Sequence, residues 1–196
     1  MGALLRVLCL VITLWGGGAS WAQDEAATTK LLLHRSDEGV WLSAQLPLVL
    51  PAALESALNK GIPLHFVVRA RVVQPRWYWS DKVIAQATRR VRLDYQPLTN
   101  VWRITWTGDE TGEIAAGLGL TRQFETQAQA LASLSRIYRW RIADASELDP
   151  ATAYQVHLNL ALDSVRLPRP LQIGTLGQAD WKLDLNQSQT LEPLKP

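Results

Sequence analysis

The sequence predicts a mainly β protein: an antiparallel β-sandwich, immunoglobulin-like or similar, carrying two short-to-medium helices. Three observations carry that expectation. Apolar and polar residues alternate with period two over three consecutive central runs, 64–73, 83–95 and 100–107, as in half-buried antiparallel strands. A further run from Tyr154 to Leu162 repeats the pattern. Helical spacing with matching start and stop residues occurs only around 51–61 and 126–138, too little for a helical or alternating α/β architecture.

The first 22 residues stand apart from that domain. Met1 to Arg6 carries one positive charge, and Val7 to Trp15 is apolar apart from Thr13. Gly16, Gly17 and Gly18 follow, and Ser20-Trp21-Ala22 places small residues at the third-last and last positions before a cut. This is the layout of a secretory signal, with cleavage expected after Ala22 and delivery to the periplasm. Its apolar run falls short of the about 20 residues that span a bilayer, and no later run reaches that length, so no transmembrane segment is expected after cleavage. Cys9, the single cysteine, leaves with the leader. The mature chain is then expected to lack disulfides, thiol nucleophiles and cysteine metal ligands. Without Arg6, the 20 Lys and Arg exceed the 18 Asp and Glu by one. That balance argues neither for nucleic acid nor for an anionic membrane surface, and no nucleic-acid partner is expected.

Residues 23–29 read as a flexible lead-in, 30–186 as a single β-rich domain and 187–196 as a flexible tail. The domain opens with two strands joined by Ser36-Asp37-Glu38-Gly39, a turn ending in glycine. Pro51 suits the first position of a short helix in which Leu54 and Leu58 share a face, and Gly61 suits the position after its end. From Leu64 the apolar row is Leu64, Phe66, Val68, Ala70 and Val72. The next run has Val83, Ala85, Ala87, Val91, Leu93 and Tyr95 on one face and Gln86, Thr88, Arg90, Arg92 and Asp94 on the other. Trp102, Ile104 and Trp106 alternate with Val101, Arg103 and Thr105, so both tryptophans are expected in the core, and Trp41 with them. Residues 108–112 read as a turn, and 113–124 as a weaker strand. Thr126 and Gln129 form a capping-box pair opening a helix whose apolar stripe is Leu131, Leu134 and Tyr138, with Ile137 beside them. After Asp149-Pro150 comes the strand with Tyr154, Val156, Leu158, Leu160 and Leu162 on one face. A last strand is expected around Trp181 to Leu185.

The ordered strings "LESALNKGIPLHFVVRARVVQPRWYWSD", "RRVRLDYQPLTNVWRI" and "LDSVRLPRPLQIGTLGQADWKLD" resemble a family of exported bacterial proteins catalogued as domain of unknown function 4390, also labelled proline-rich signal peptide protein. The likeness runs from about Lys30 to about Asn186. Its most specific pieces are Gly61-Ile62-Pro63-Leu64, Arg76-Trp77-Tyr78-Trp79 with Asp81, Tyr95 with Leu98-Thr99, and Leu167-Pro168 with Trp181. The resemblance implies export and a gene neighbourhood shared with membrane sensor kinases of the nitrogen-regulation type. It brings no activity, cofactor or catalytic residue. The tail "QSQTLEPLKP" departs from the family's pattern, lacking a tryptophan-ended strand.

No catalytic constellation is legible. His34, His65 and His157 are far apart and in no metal-ligand spacing, and the latter two lie on polar strand faces. There is no glycine-x-serine-x-glycine elbow, Gly117-Leu118-Gly119 is too short for a phosphate loop, and Asp109 and Glu110 read as solvated loop charge. No cofactor and no metal site are expected. Two features stand out instead. Pairing strand 64–73 with strand 83–95 in a register that sets Arg71 opposite Arg90, and Arg69 opposite Arg92, gathers four arginines on one outer face. Such like-charge pairs cost about 0.2–1 kcal/mol each; an anionic partner would offset that, as would acids from elsewhere in the fold. Trp77 and Trp79, with Arg76 beside them, border that face. Large rings are more often buried, so they are expected to anchor the turn; exposed, they would stack on sugars. The candidate binding residues are therefore Arg69, Arg71, Arg76, Trp77, Trp79, Arg90 and Arg92. The leading expectation is a non-enzymatic interaction or accessory module for an envelope protein such as a membrane sensor kinase. A glycan- or anionic-lipid-binding module comes second and an enzyme third.

Overall fold

A computed structural model describes residues 30–78, 80–109, 119–167 and 181–194. The leader, the lead-in, Trp79, Glu110 and the Gly117-Leu118 pair lie outside the described residues. The chain forms β1 (Lys30–Ser36), β2 (Gly39–Gln45), α1 (Ala52–Asn59), β3 (Leu64–Gln74), β4 (Lys82–Gln96), β5 (Val101–Asp109) and β6 (Leu120–Phe124). Then follow α2 (Gln127–Ser135), β7 (Arg136–Asp144), β8 (Tyr154–Leu162) and β9 (Asp184–Leu191). Every strand pairing is antiparallel. One sheet has three strands in the order β1-β2-β7 and the other six, in the order β6-β5-β4-β3-β8-β9. The mainly β, two-helix architecture expected from the alternation is the one observed.

The sheets face each other through β7, which lies against β3 and β4, and through β1, which touches β9. The core fills the space between them. Phe66, Ala70 and Val72 of β3 meet Val91 and Leu93 of β4 and Leu158 and Leu160 of β8 on one side; Val40, Leu42, Trp140 and Ile142 close it on the other. Three strands cannot cover six. The inner face of β5 and β6 is covered instead by α2, which touches both.

The local chemistry explains the element ends. In α1, Leu54 and Leu58 are fully buried. The helix stops in a Schellman arrangement: Ile62 N–H donates to the Ala57 carbonyl at 3.0 Å and Gly61 N–H to the Leu58 carbonyl at 2.8 Å, with Gly61 at φ +76°. Glycine is favoured there because a Cβ strains the left-handed conformation. At α2, Thr126 accepts the Gln129 N–H at 3.2 Å through its side chain, the cap that the sequence signalled. Gly39 ends the β1–β2 turn at φ +150°, and a Cβ on it would run into the backbone carbonyl oxygen of Ala143 on β7. Gly39→Ala is therefore expected to cost more than about 1 kcal/mol, read as a lower urea midpoint at unchanged slope.

Several expectations are corrected. The second helix ends at Ser135, not at Tyr138, and the chain enters β7 without a connecting residue. Ser135 makes that abrupt change possible: its carbonyl accepts Leu46 N–H at 2.9 Å, and its hydroxyl accepts from Gln45 Nε2 at 2.7 Å. The last strand is Asp184–Leu191, so 187–191 pair with β8 and are not tail. Trp41 lies on the face of β2 opposite Val40, Leu42 and Ala44 and is only half-buried, under the Arg139 guanidinium at 5.4 Å. Trp102 is buried as expected, whereas Trp106 is only partly so. Val83 leaves the apolar row because the β3–β4 register shifts between Val72 and Val73, and it is exposed.

Candidate functional site

The four arginines do share one face, but in a different register. Arg69 pairs with Thr88, Arg71 with Gln86, Arg90 with Val67 and Arg92 with His65. No arginine lies directly opposite another, so the expected like-charge pairs are absent from the β3–β4 ladder. The charges are staggered instead: Arg69 is diagonal to Arg90, at the about 7–8 Å typical of such neighbours. On the other side of β3, Arg69 faces Asn159 and Arg71 faces His157 of β8. Because register partners share a face, the outer surface of the six-stranded sheet can be read across. It presents Ser188 and Asn186 on β9, then His157 and Asn159 on β8, then the arginines, then Arg103, Thr105 and Thr107 on β5.

Its acids are few. Asp94 sits opposite Arg103 and lies 3.6 Å from Arg92. Asp184 is engaged by Asn159 and Asn186. Arg69, Arg71 and Arg90 are exposed and form no ion pair with any described residue. The other sheet packs on the opposite side; on this face Val67, Thr88 and Asp94 are buried, whereas Arg69, Arg71 and Arg90 are exposed. No described helix is long and apolar enough to cross a membrane.

His65 belongs to the same surface. Burial first, then the neighbouring Arg166 and Arg92, hold its imidazole below the ordinary histidine value of 6.5, while Asp163 and Asp94 act the other way. A group whose folded pKa is depressed stabilises the fold above its unfolded pKa and loses that contribution as pH falls through the folded value. Urea midpoints are therefore expected to drop as pH is lowered below about 6.5, and His65→Gln is expected to flatten that part of the profile.

Trp77 and Tyr78 do not anchor the turn, and Trp79 lies outside the described residues. Trp77 is 94% exposed and Tyr78 65%, with ring centroids 5.1 Å apart in an edge-to-face arrangement. Pro75, Arg76 and Trp77 continue neither strand, and Arg76 is also exposed. Pro75 has no N–H to extend the ladder. The structure thus brings Arg69, Arg71, Arg90 and Arg92 together and holds Arg76 and Trp77 apart, at the hairpin tip.

A second arrangement was missed from the sequence. Where β7 gives way to α2 over β4, β5 and β6, a cleft of about 1180 Å³ opens. Its base is apolar, with Val68, Val91, Leu134 and Trp140 all buried. Three guanidinium groups line it: Arg89, half-buried and stacked on Trp140 at 4.7 Å, and the exposed Arg122 and Arg136. Arg136 donates to Gln45 Oε1 at 3.3 Å. Among the described lining residues there is no carboxylate and no histidine. The signal was present. Arg89 occupies the position between Ala87 and Val91 in the apolar row of β4, and Arg122 the position between Leu120 and Phe124.

No curated protein and no solved structure matches the chain. The model of the family described as domain of unknown function (DUF4390) matches residues 23–191. The chain belongs to that family.

Proposed function

We propose that the protein is a non-enzymatic interaction module of the bacterial cell envelope. In this reading the N-terminal leader exports it to the periplasm, and the open face of the six-stranded sheet docks an acidic surface on an envelope protein such as a membrane sensor kinase. One observation carries the reading: Arg69, Arg71 and Arg90 stand exposed on the outer face of the six-stranded sheet with no ion-pair partner among the described residues. A cationic patch of this kind steers association with an acidic partner and disfavours cationic ones. The direct test is cross-linking in intact cells, comparing the wild type with Arg69→Gln, Arg71→Gln, Arg90→Gln and Arg92→Gln combined. A discrete membrane-protein adduct that disappears in the fourfold variant is expected. An adduct of undiminished yield overturns the reading.

The exposed Trp77–Tyr78 pair favours a second reading, a glycan-binding module, since exposed aromatic faces stack on sugar rings. Retention of the protein on peptidoglycan, lost in Trp77→Ala and kept in the fourfold arginine variant, would select it over the first.

A further inference from the structure

From the cleft between α2 and the two sheets, on the side of the molecule opposite the arginine face, we infer a binding site for a single-chain amphiphile with an anionic head, a free long-chain carboxylate. The inference is independent of the docking reading: it uses neither the outer face nor any residue on it.

The shape follows from the strand count. Because β7 ends the three-stranded sheet over β3 and β4, it is α2 that covers the inner face of β5 and β6 among the described residues. With nine residues, α2 buries only Ala130, Leu134 and Ser135. The gap left between helix and sheet is the cleft. At about 1180 Å³, it is at or above the about 300–1,000 Å³ usual for small-molecule sites.

Its chemistry is graded from base to mouth. Trp140 is fully buried at the base beside Val68 and Leu134, surfaces that water solvates poorly and that an acyl chain would cover. At the mouth, Leu120 is 52% and Tyr138 75% exposed, apolar area left open where a chain would enter. Arg122 and Arg136 flank that opening from β6 and from the start of β7, and Arg89 stands half-buried between them and the base. Planar guanidinium groups bind a carboxylate through paired charged hydrogen bonds. With Arg122 and Arg136 exposed and no acid in the described lining, charge complementarity favours an anion over a cation or a neutral chain.

Trp106 and Trp140 both line the cleft, so a bromine atom carried into it quenches their fluorescence by contact. The purified protein is titrated with 11-bromoundecanoate below its micelle concentration, and separately with the neutral 11-bromoundecanol. Saturable quenching by the acid is expected, with at least tenfold weaker binding of the alcohol. Combining Arg122→Gln with Arg136→Gln is expected to weaken the acid at least tenfold and to leave the alcohol unchanged; both side chains are exposed, so folding is preserved. Ser133→Phe, which fills the cleft, is expected to abolish quenching by either probe. The inference is overturned if the acid shows no saturable quenching, if acid and alcohol bind equally, or if the double arginine variant binds the acid as the wild type does. It is overturned as well if the protein binds only vesicles of phosphatidylglycerol and phosphatidylcholine, and not the monomeric probe. Loss of the docking adduct in the fourfold outer-face variant, with quenching intact, separates the two sites.

Discussion

Trp140→Ala is expected to destabilise the protein by about 3–5 kcal/mol, the range for removing a large buried aromatic side chain. Trp140 is among the largest fully buried side chains and belongs to the central core cluster. It lies on β7, the strand that brings the small sheet against β3 and β4. Truncation therefore opens a void at the seam between the layers, where neither sheet can close it without moving as a whole. It also takes away the ring under Arg89, leaving a half-buried cation beside an apolar gap. Trp140→Phe keeps an aromatic face under the guanidinium and is expected to lose less. Urea denaturation checks both, with the midpoint falling steeply for alanine and modestly for phenylalanine.

The second large effect concerns binding. Changing Arg69, Arg71, Arg90 and Arg92 together to Gln is expected to lower affinity for the acidic partner at least tenfold, with the loss concentrated in the association rate and shrinking as salt is raised. Stability is expected to move in the other direction or hardly at all. These side chains are exposed, and among the described residues only Arg92 has an ion-pair partner on the face, Asp94 at 3.6 Å. Surface substitutions away from caps and core usually stay within about 0.5 kcal/mol, and thinning a like-charged cluster relieves repulsion. A variant that binds poorly yet melts at or above the wild-type temperature separates a functional patch from a structural one.

How far the sequence told this story depends on where its periodicity was clean. Strands β3, β4, β5 and β8 were legible because one face of each packs on the core and the other meets water, which writes itself as alternation. The arginine face survived an error in register for the same reason. The expected partner of Arg71 was Arg90 and the observed one is Gln86, a slip of four positions, and an even slip keeps every side chain on its face. The ladder itself was unreadable because its centre depends on the proline-bearing turn after β3 and on the shift between Val72 and Val73.

Strand β7 was hidden by a coincidence of spacing. Leu131, Leu134 and Tyr138 fit a helical stripe, and the strand's own alternation is broken by register shifts flanking Trp41 and Leu42 of β2, with Arg139 at φ +41°. Strand β9 was hidden by its composition: an edge strand of Asn, Gln, Ser and Thr whose one well-buried residue is Leu191 carries almost no hydrophobic signal. Arg89 and Arg122 were visible as cations interrupting apolar rows. What could not be read was that α2, not a strand, covers those rows, and so leaves them room. The exposure of Trp77 is likewise a tertiary fact that composition opposes.

The claim that matters most is that the outer face of β3 and β4 is a docking surface for acidic groups. Amide chemical shifts of the isotope-labelled protein, followed during titration with a hexaglutamate peptide at low salt, test it most directly. The expected result is a single cluster of perturbed amides around Arg69, Arg71, Arg90 and Arg92, reaching Asn159 and His157 on β8, and vanishing in the fourfold Gln variant. Perturbations confined to the Trp77 turn or to the α2 cleft, or absent altogether, would contradict it.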